Sequence, residues 1–150
     1  MIKNVIVTII NSLIPFFIIF HSINTYAQNV ELTIKGIRST KGTLQVGVFK
    51  DNESFKKEKS YKELKFAKTN IVNGILTVEF NLEPGLFGFA LLDDENSNAK
   101  MDYNFIGYPL ERFGFSNYYH RGLTKPNLNE FSFNVARNSS QKVVIEIRYM

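Results

Sequence analysis

The stretch "EPGLFGFALLD", residues 83–93, decides the fold. Pro84-Gly85 is turn chemistry, because proline presets φ and glycine accepts a positive one. From Leu86 to Leu92 the segment then runs apolar on both of its faces. An extended segment of that kind needs cover on each side and belongs in the middle of a sheet.

Outward from this strand, period-two alternation dominates. On the N-terminal side, "VELTIKGI" sets Val30, Leu32 and Ile34 on one face, and "TLQVGVF" sets Leu44, Val46 and Val48 inward. "IVNGILTVEFNL" holds Asn73-Gly74 between two β-prone runs, the strongest local hairpin signal of the chain, since Asn-Gly tolerates positive φ at both central positions. Its second run buries Leu76, Val78, Phe80 and Leu82. On the C-terminal side, "EFSFNVA" and "KVVIEIRY" add Phe131, Phe133 and Val135, then Val143, Ile145, Ile147 and Tyr149, joined by the polar turn "RNSSQ". Residues 51–67 read as a crossover loop with a turn or two of helix anchored by Phe55, Tyr61 and Leu64, and residues 93–129 as a long irregular loop after the central strand. The expectation is all-β: a two-sheet antiparallel β-sandwich of about seven strands.

Residues 1–27 read separately. Lys3 precedes the apolar run from Val5 to Phe20, and Thr25 and Ala27 are small residues placed for cleavage. This is the pattern of a secretory signal peptide. The run is short for a membrane span and is broken by Asn11, Ser12 and Pro15. The expected organisation is a signal peptide over 1–27 and a single β-sandwich domain over 28–150, with no transmembrane segment after cleavage. The product would be exported, and periplasmic, cell-surface or extracellular.

The chain has no cysteine, which excludes disulfides and a lipid-bearing cysteine. Its formal net charge is only +4. The lysines between Lys56 and Lys68 are interrupted by Glu58 and Glu63, the pattern of a solvated face rather than a nucleic-acid surface. His120 is the one histidine beyond the signal segment, so zinc with its usual ligands has too few donors.

The sharpest chemical signal is "DDENSNAKMD", residues 93–102. Calcium takes six to eight oxygen ligands, and alternate residues of a short loop can turn toward one centre. Asp94, Asn96, Asn98 and Asp102 stand at positions 1, 3, 5 and 9 of such a loop, with the Lys100 carbonyl at position 7. Ala99 occupies position 6, where glycine is usual, and Phe105 stands where a bidentate glutamate is expected. Glu111 is a more distant carboxylate able to fold back. The alternative is a plain polar loop, because Asp and Asn bond their own backbone in Asx turns.

The longer stretch "DENSNAKMDYNFIGYPLERFGFSN", residues 94–117, following "LEPGLFGFALLDDEN", resembles the signature of the bacterial domain-of-unknown-function family 2141 (DUF2141). The motif residues fall on Pro84, Gly85, Asp94, Glu95, Asn96, Asn98, Lys100, Asp102, Asn104, Gly107, Pro109, Glu111, Gly114, Phe115, Ser116 and Asn117, with Ala99 standing at a family glycine. The resemblance implies an exported sandwich similar to transthyretin-like or immunoglobulin-like domains, with no established activity. A fold does not supply a function.

Two other chemistries have candidates. Tyr103 to Tyr119 is rich in aromatics beside amides and Arg112, a composition suited to a cell-envelope glycan or peptide; Tyr108, Arg112, Ser116, Asn117 and Tyr118 are the candidate ligand residues. The competing reading is that these rings cap the open end of the sandwich. Ser116 and His120 are close in sequence, but the G-x-S-x-G elbow fails at Tyr118 and no orienting acid is evident. The leading expectation is a non-enzymatic structural or binding module of the cell envelope, calcium-stabilised through its Asp/Asn loop, with protein or glycan partners and no nucleic acid.

Overall fold

A computed structural model describes residues 28–149; the signal segment read from the sequence lies outside the described residues. Eight strands are present among them: β1 (Gln28–Lys35), β2 (Thr43–Phe49), β3 (Lys62–Ala67), β4 (Ile75–Leu82), β5 (Gly85–Asp94), β6 (Arg112–Phe115), β7 (Ser132–Val135) and β8 (Gln141–Glu146). One short helix, α1 (Asn52–Lys56), and a 3₁₀ turn at Leu128–Glu130 lie between them.

The strands form two sheets. The smaller has the order β4-β1-β8, and the larger runs β3-β2-β5-β6 with β7 also on β5. β5 is central, as its two-sided apolarity predicts. One edge pairs with β2 from Gly88 to Asp94, and the other pairs with β7 at Gly85–Gly88 and with β6 at Ala90–Asp93. The alternating residues meet between the sheets: Leu32, Ile34, Leu44, Val46, Phe87, Phe89, Val143 and Ile145 are all fully buried in one cluster.

Four details differ from the sequence reading. β3 occupies part of the segment read as a crossover loop; its Leu64 and Phe66 pack on the core while Glu63 and Lys65 face solvent. It is an edge strand paired only with β2, so its charged outer face hides the alternation. β6 lies inside the stretch read as irregular. Asn73-Gly74 does form the expected tight turn, with φ of 51° and 73° and reciprocal Val72–Ile75 bonds of 3.0 Å, yet its first arm is a single bridge rather than a strand. The turns at Pro84-Gly85 and at residues 136–140 carry the chain from one sheet to the other. Pairing is antiparallel except between β1 and β8, which are parallel.

The larger sheet has a second apolar layer on its outer face. Ala90 registers with Phe115 and Leu92 with Phe113, so these side chains point away from the sandwich interior. Phe49, Phe55, Phe113, Phe115, Leu128 and Phe131 form the cluster that covers that face. Phe55 is its hub, meeting Phe49, Phe115 and Phe131 edge-on at 5.2, 6.0 and 5.0 Å. It is delivered by α1, whose N-cap Asp51 accepts the Ser54 backbone N–H at 2.8 Å.

On the inner face of β6, Gly114 lies close against β8 of the other sheet. A Cβ there would stand 2.5 Å from Ile145 Cγ2 and 2.8 Å from the Glu146 carbonyl oxygen. Gly114→Ala is therefore expected to lower stability by about 1–3 kcal/mol through overpacking. A urea midpoint identical to the parent's would show that β6 and β8 do not meet in this way.

Candidate functional site

The Asp/Asn loop leaves the end of β5 on the outer face of the larger sheet. Gly42, with φ of +71°, lies against its base: a Cβ at that position would sit 1.9 Å from the Asp94 carbonyl oxygen. Asp93 points the other way, into the sandwich edge, where it forms a fully buried ion pair with Lys68. The Lys68 ammonium also donates to the Lys41 carbonyl at 2.7 Å. Burial holds the Asp93 carboxyl above its ordinary range, and Lys68 opposes that shift.

Asp94 is the anchor of the loop. It is 1% exposed, and its carboxylate accepts Gln45 Nε2 at 2.6 Å and the backbone N–H groups of Asn98 at 3.2 Å and Ala99 at 2.9 Å. The remaining members form a chain of Asx turns. Asn98 N–H donates to Asn96 Oδ1 at 2.9 Å, and Lys100 N–H donates to Asn98 Oδ1 at 2.8 Å. The amide N–H groups of Asn96 and Asn98 both turn to Asp102 Oδ2, at 2.7 and 2.8 Å. The loop thus wraps inward on Asp94 and Asp102, and the positive ends of two amide dipoles stand around the Asp102 carboxylate. Among the described residues, no three His, Cys, Asp or Glu side chains are gathered closely enough to hold a metal as they stand. Any cation would have to replace the two amide donors, which requires those side chains to rotate.

Glu111 is the residue whose place the spacing alone left open. The segment from Asp102 to Leu110 doubles back, closed by Leu110 N–H to the Asp102 carbonyl at 2.7 Å and by a Tyr103–Pro109 bridge. This brings Glu111 to the loop. Both of its carboxylate oxygens are buried without a hydrogen-bond partner. Burial pushes its carboxyl above the ordinary range, Asp94 and Asp102 add repulsion, and the Asp102 backbone N–H, although outside good hydrogen-bond geometry, opposes the shift. The neighbouring acid Glu95 has its counterion, Arg112, at 2.5 Å.

The candidate ligand residues do not converge. Tyr108 is half-buried against the outer aromatic layer. Arg112 is held by Glu95 and lies 4.9 Å from the centre of the Tyr149 ring. Asn117, with φ of 53°, ties the end of β6 to β8 by accepting Val144 N–H at 2.9 Å. Tyr118 donates its hydroxyl to Glu130 at 2.9 Å. Ser116 is fully buried, donating to the Phe131 carbonyl at 2.6 Å and accepting Phe89 N–H at 2.9 Å. His120 meets the Tyr118 hydroxyl at 3.5 Å instead of Ser116. These contacts fix the loop and do not arm a nucleophile. The aromatics divide: Phe113 and Phe115 fill the cap as the competing reading expects, whereas Tyr103, Phe105 and Tyr119 are exposed.

Taken together, these features define the class: an all-β sandwich of two sheets with a self-bonded Asp/Asn loop at the end of its central strand. The chain belongs to the family described as "Uncharacterized protein conserved in bacteria (DUF2141)", whose family model matches residues 32–143. Comparison with curated proteins and with solved structures finds no match. No helix among the described residues is long and apolar enough to cross a membrane.

The local geometry at Ala99 yields a direct test. Its φ of 61° is left-handed, a region that costs a side-chain-bearing residue about 1–2 kcal/mol. Ala99→Gly is expected to raise stability by about 1 kcal/mol, after glycine's larger unfolded-state entropy is offset. A variant less stable than the parent in urea would contradict the loop geometry.

Proposed function

We propose that this protein is an exported, non-enzymatic β-sandwich module whose Asp/Asn loop is completed by calcium. The single observation that carries the ion is Glu111. A buried carboxylate with no cation beside it, two further carboxylates nearby and only the Asp102 backbone N–H in its favour is an expensive arrangement, and a divalent cation relieves both the desolvation and the repulsion. Glu111 supplies the bidentate group that is missing at Phe105. Asp94, Asp102, the Asn96 and Asn98 amide oxygens and the Lys100 carbonyl supply the rest once the amides turn. The role is stabilising: the ion would lock the segment that leaves β5 and folds back on β6. The signal pattern of residues 1–27 supports export, and calcium-bearing compartments lie outside the cell membrane.

The test is a melting curve of the protein in calcium and in chelator. With a Kd of about 10⁻⁴ M, as for extracellular calcium modules, about 10 mM calcium adds about 2.7 kcal/mol, a shift of several degrees. Glu111→Gln is expected to abolish that shift. Without calcium the same variant is expected to be more stable than the parent at pH 7, because it removes a buried, repelled charge. The sign with pH follows. The Glu111 carboxyl is raised in the fold above its ordinary 4.5, so its contribution to stability is full below that value and is lost as pH rises through the raised one. In chelator the gap between variant and parent should therefore narrow as pH falls toward 4.5, with Asp93 acting in the same direction in both. Equal midpoints in calcium and in chelator would remove the ion from this account.

A further inference from the structure

The outer face of the larger sheet is only partly filled. Between it and the covering loops lies a cavity of about 330 Å³, within the size range of small-ligand sites. Ala90 and Leu92 form its floor, and Phe55, Met101 and Phe113 stand among its walls. Two large apolar side chains that reach it, Tyr103 and Leu123, are 51% and 76% exposed at the rim.

The charges at the mouth cancel. Glu58 and Lys125 both line the cavity and are paired with each other at 3.0 Å. The Lys125 ammonium is further held 4.6 Å from the centre of the Phe55 ring. His120 is the buried polar group of the wall, 8% exposed. Its Nδ1 faces the Tyr118 hydroxyl, and its ring stands edge-on to Phe115 at 5.9 Å. A Cβ on Gly122 would lie 3.2 Å from Nε2 and 2.9 Å from Cε1, so the missing side chain there leaves that edge of the imidazole open.

We infer that this cavity binds an uncharged, compact, mainly apolar molecule, a ring system or short acyl chain, with one hydrogen-bonding group that meets His120. Apolar walls supply the affinity, and one buried imidazole sets the orientation. A charged ligand would find its counter-charge already taken by the Glu58–Lys125 pair and would lose its hydration without recompense. The site is separate from the calcium loop, although Met101 and Tyr108 reach it from the segment that Asp102 and Glu111 bracket.

The probe is N-phenyl-1-naphthylamine, uncharged and with a single N–H, titrated by fluorescence in calcium and in chelator. A saturable enhancement is expected in at least one condition. Its sulfonated relative, anilinonaphthalene sulfonate, is expected to bind more weakly. Ala90→Leu fills the floor and Met101→Phe the wall, and each should weaken the neutral probe about tenfold or more, as added methylenes do in a shaped apolar site. Should one variant fail to fold, the other carries the test. Phe105→Ser removes a ring that is 99% exposed and does not line the cavity, and it should leave affinity unchanged. The inference is overturned by no saturable binding in either condition, by parental affinity in a folded filling variant, or by loss of binding in Phe105→Ser alone.

Discussion

The structure depends on the burial of β5 from both sides. A strand that is apolar on one face needs a single partner layer; β5 needs two. The inner face, with Phe87, Phe89 and Leu91, is covered by the three-stranded sheet. The outer face would be left to water by a simple sandwich, and it is instead covered by Phe55 from α1, by Leu128 and Phe131 at the 3₁₀ turn, and by the rings of β6 itself. The features that depart from a bare sandwich are the pieces that supply this second cover. Gly88 is part of the same arrangement, since a Cβ there would collide with Leu128 and Phe131 at 2.7 Å.

The strands whose patterns were legible are those with one clean apolar face. β1, β2, β4 and β8 follow their alternation, and the Asn73-Gly74 turn follows from its φ demands. β3 and β6 were not legible, for different reasons. In β3 an edge position lets Glu63 and Lys65 line one face and Lys62 begin the other, so "KELKFA" looks as much like a charged helix as a strand. In β6 the strand is four residues long, and its phenylalanines point outward to a layer that local pattern does not announce. Sheet membership was also hidden. Alternation says which residues face inward but not which sheet they face from, so the pattern did not show that the turns at Pro84-Gly85 and at residues 136–140 cross between layers.

The candidate site was half legible. The alternating oxygens of residues 94–102 can be seen in the string, and they do wrap around Asp94 and Asp102. The return of Glu111 could not be seen, because it depends on the small doubled-back segment between Asp102 and Leu110. Electrostatics then sorts the acids of this corner. Asp93 has Lys68, Glu95 has Arg112, and Asp94 has a ring of N–H donors. Glu111 has no cation and only the Asp102 backbone N–H in its favour. The aromatic segment that invited a glycan reading serves partly as cover, and the concavity it leaves is lined mainly by apolar side chains.

The parallel pairing of β1 with β8 has a consequence for how the molecule comes into being. The two strands are neighbours in space at Val30–Gln141 through Lys35–Glu146 and far apart along the chain. The smaller layer cannot close until β8 has joined β1, and contacts of such wide sequence separation form slowly. A chain made from its N-terminus can pair β1 with β4 well before β8 arrives to close the other edge of β1.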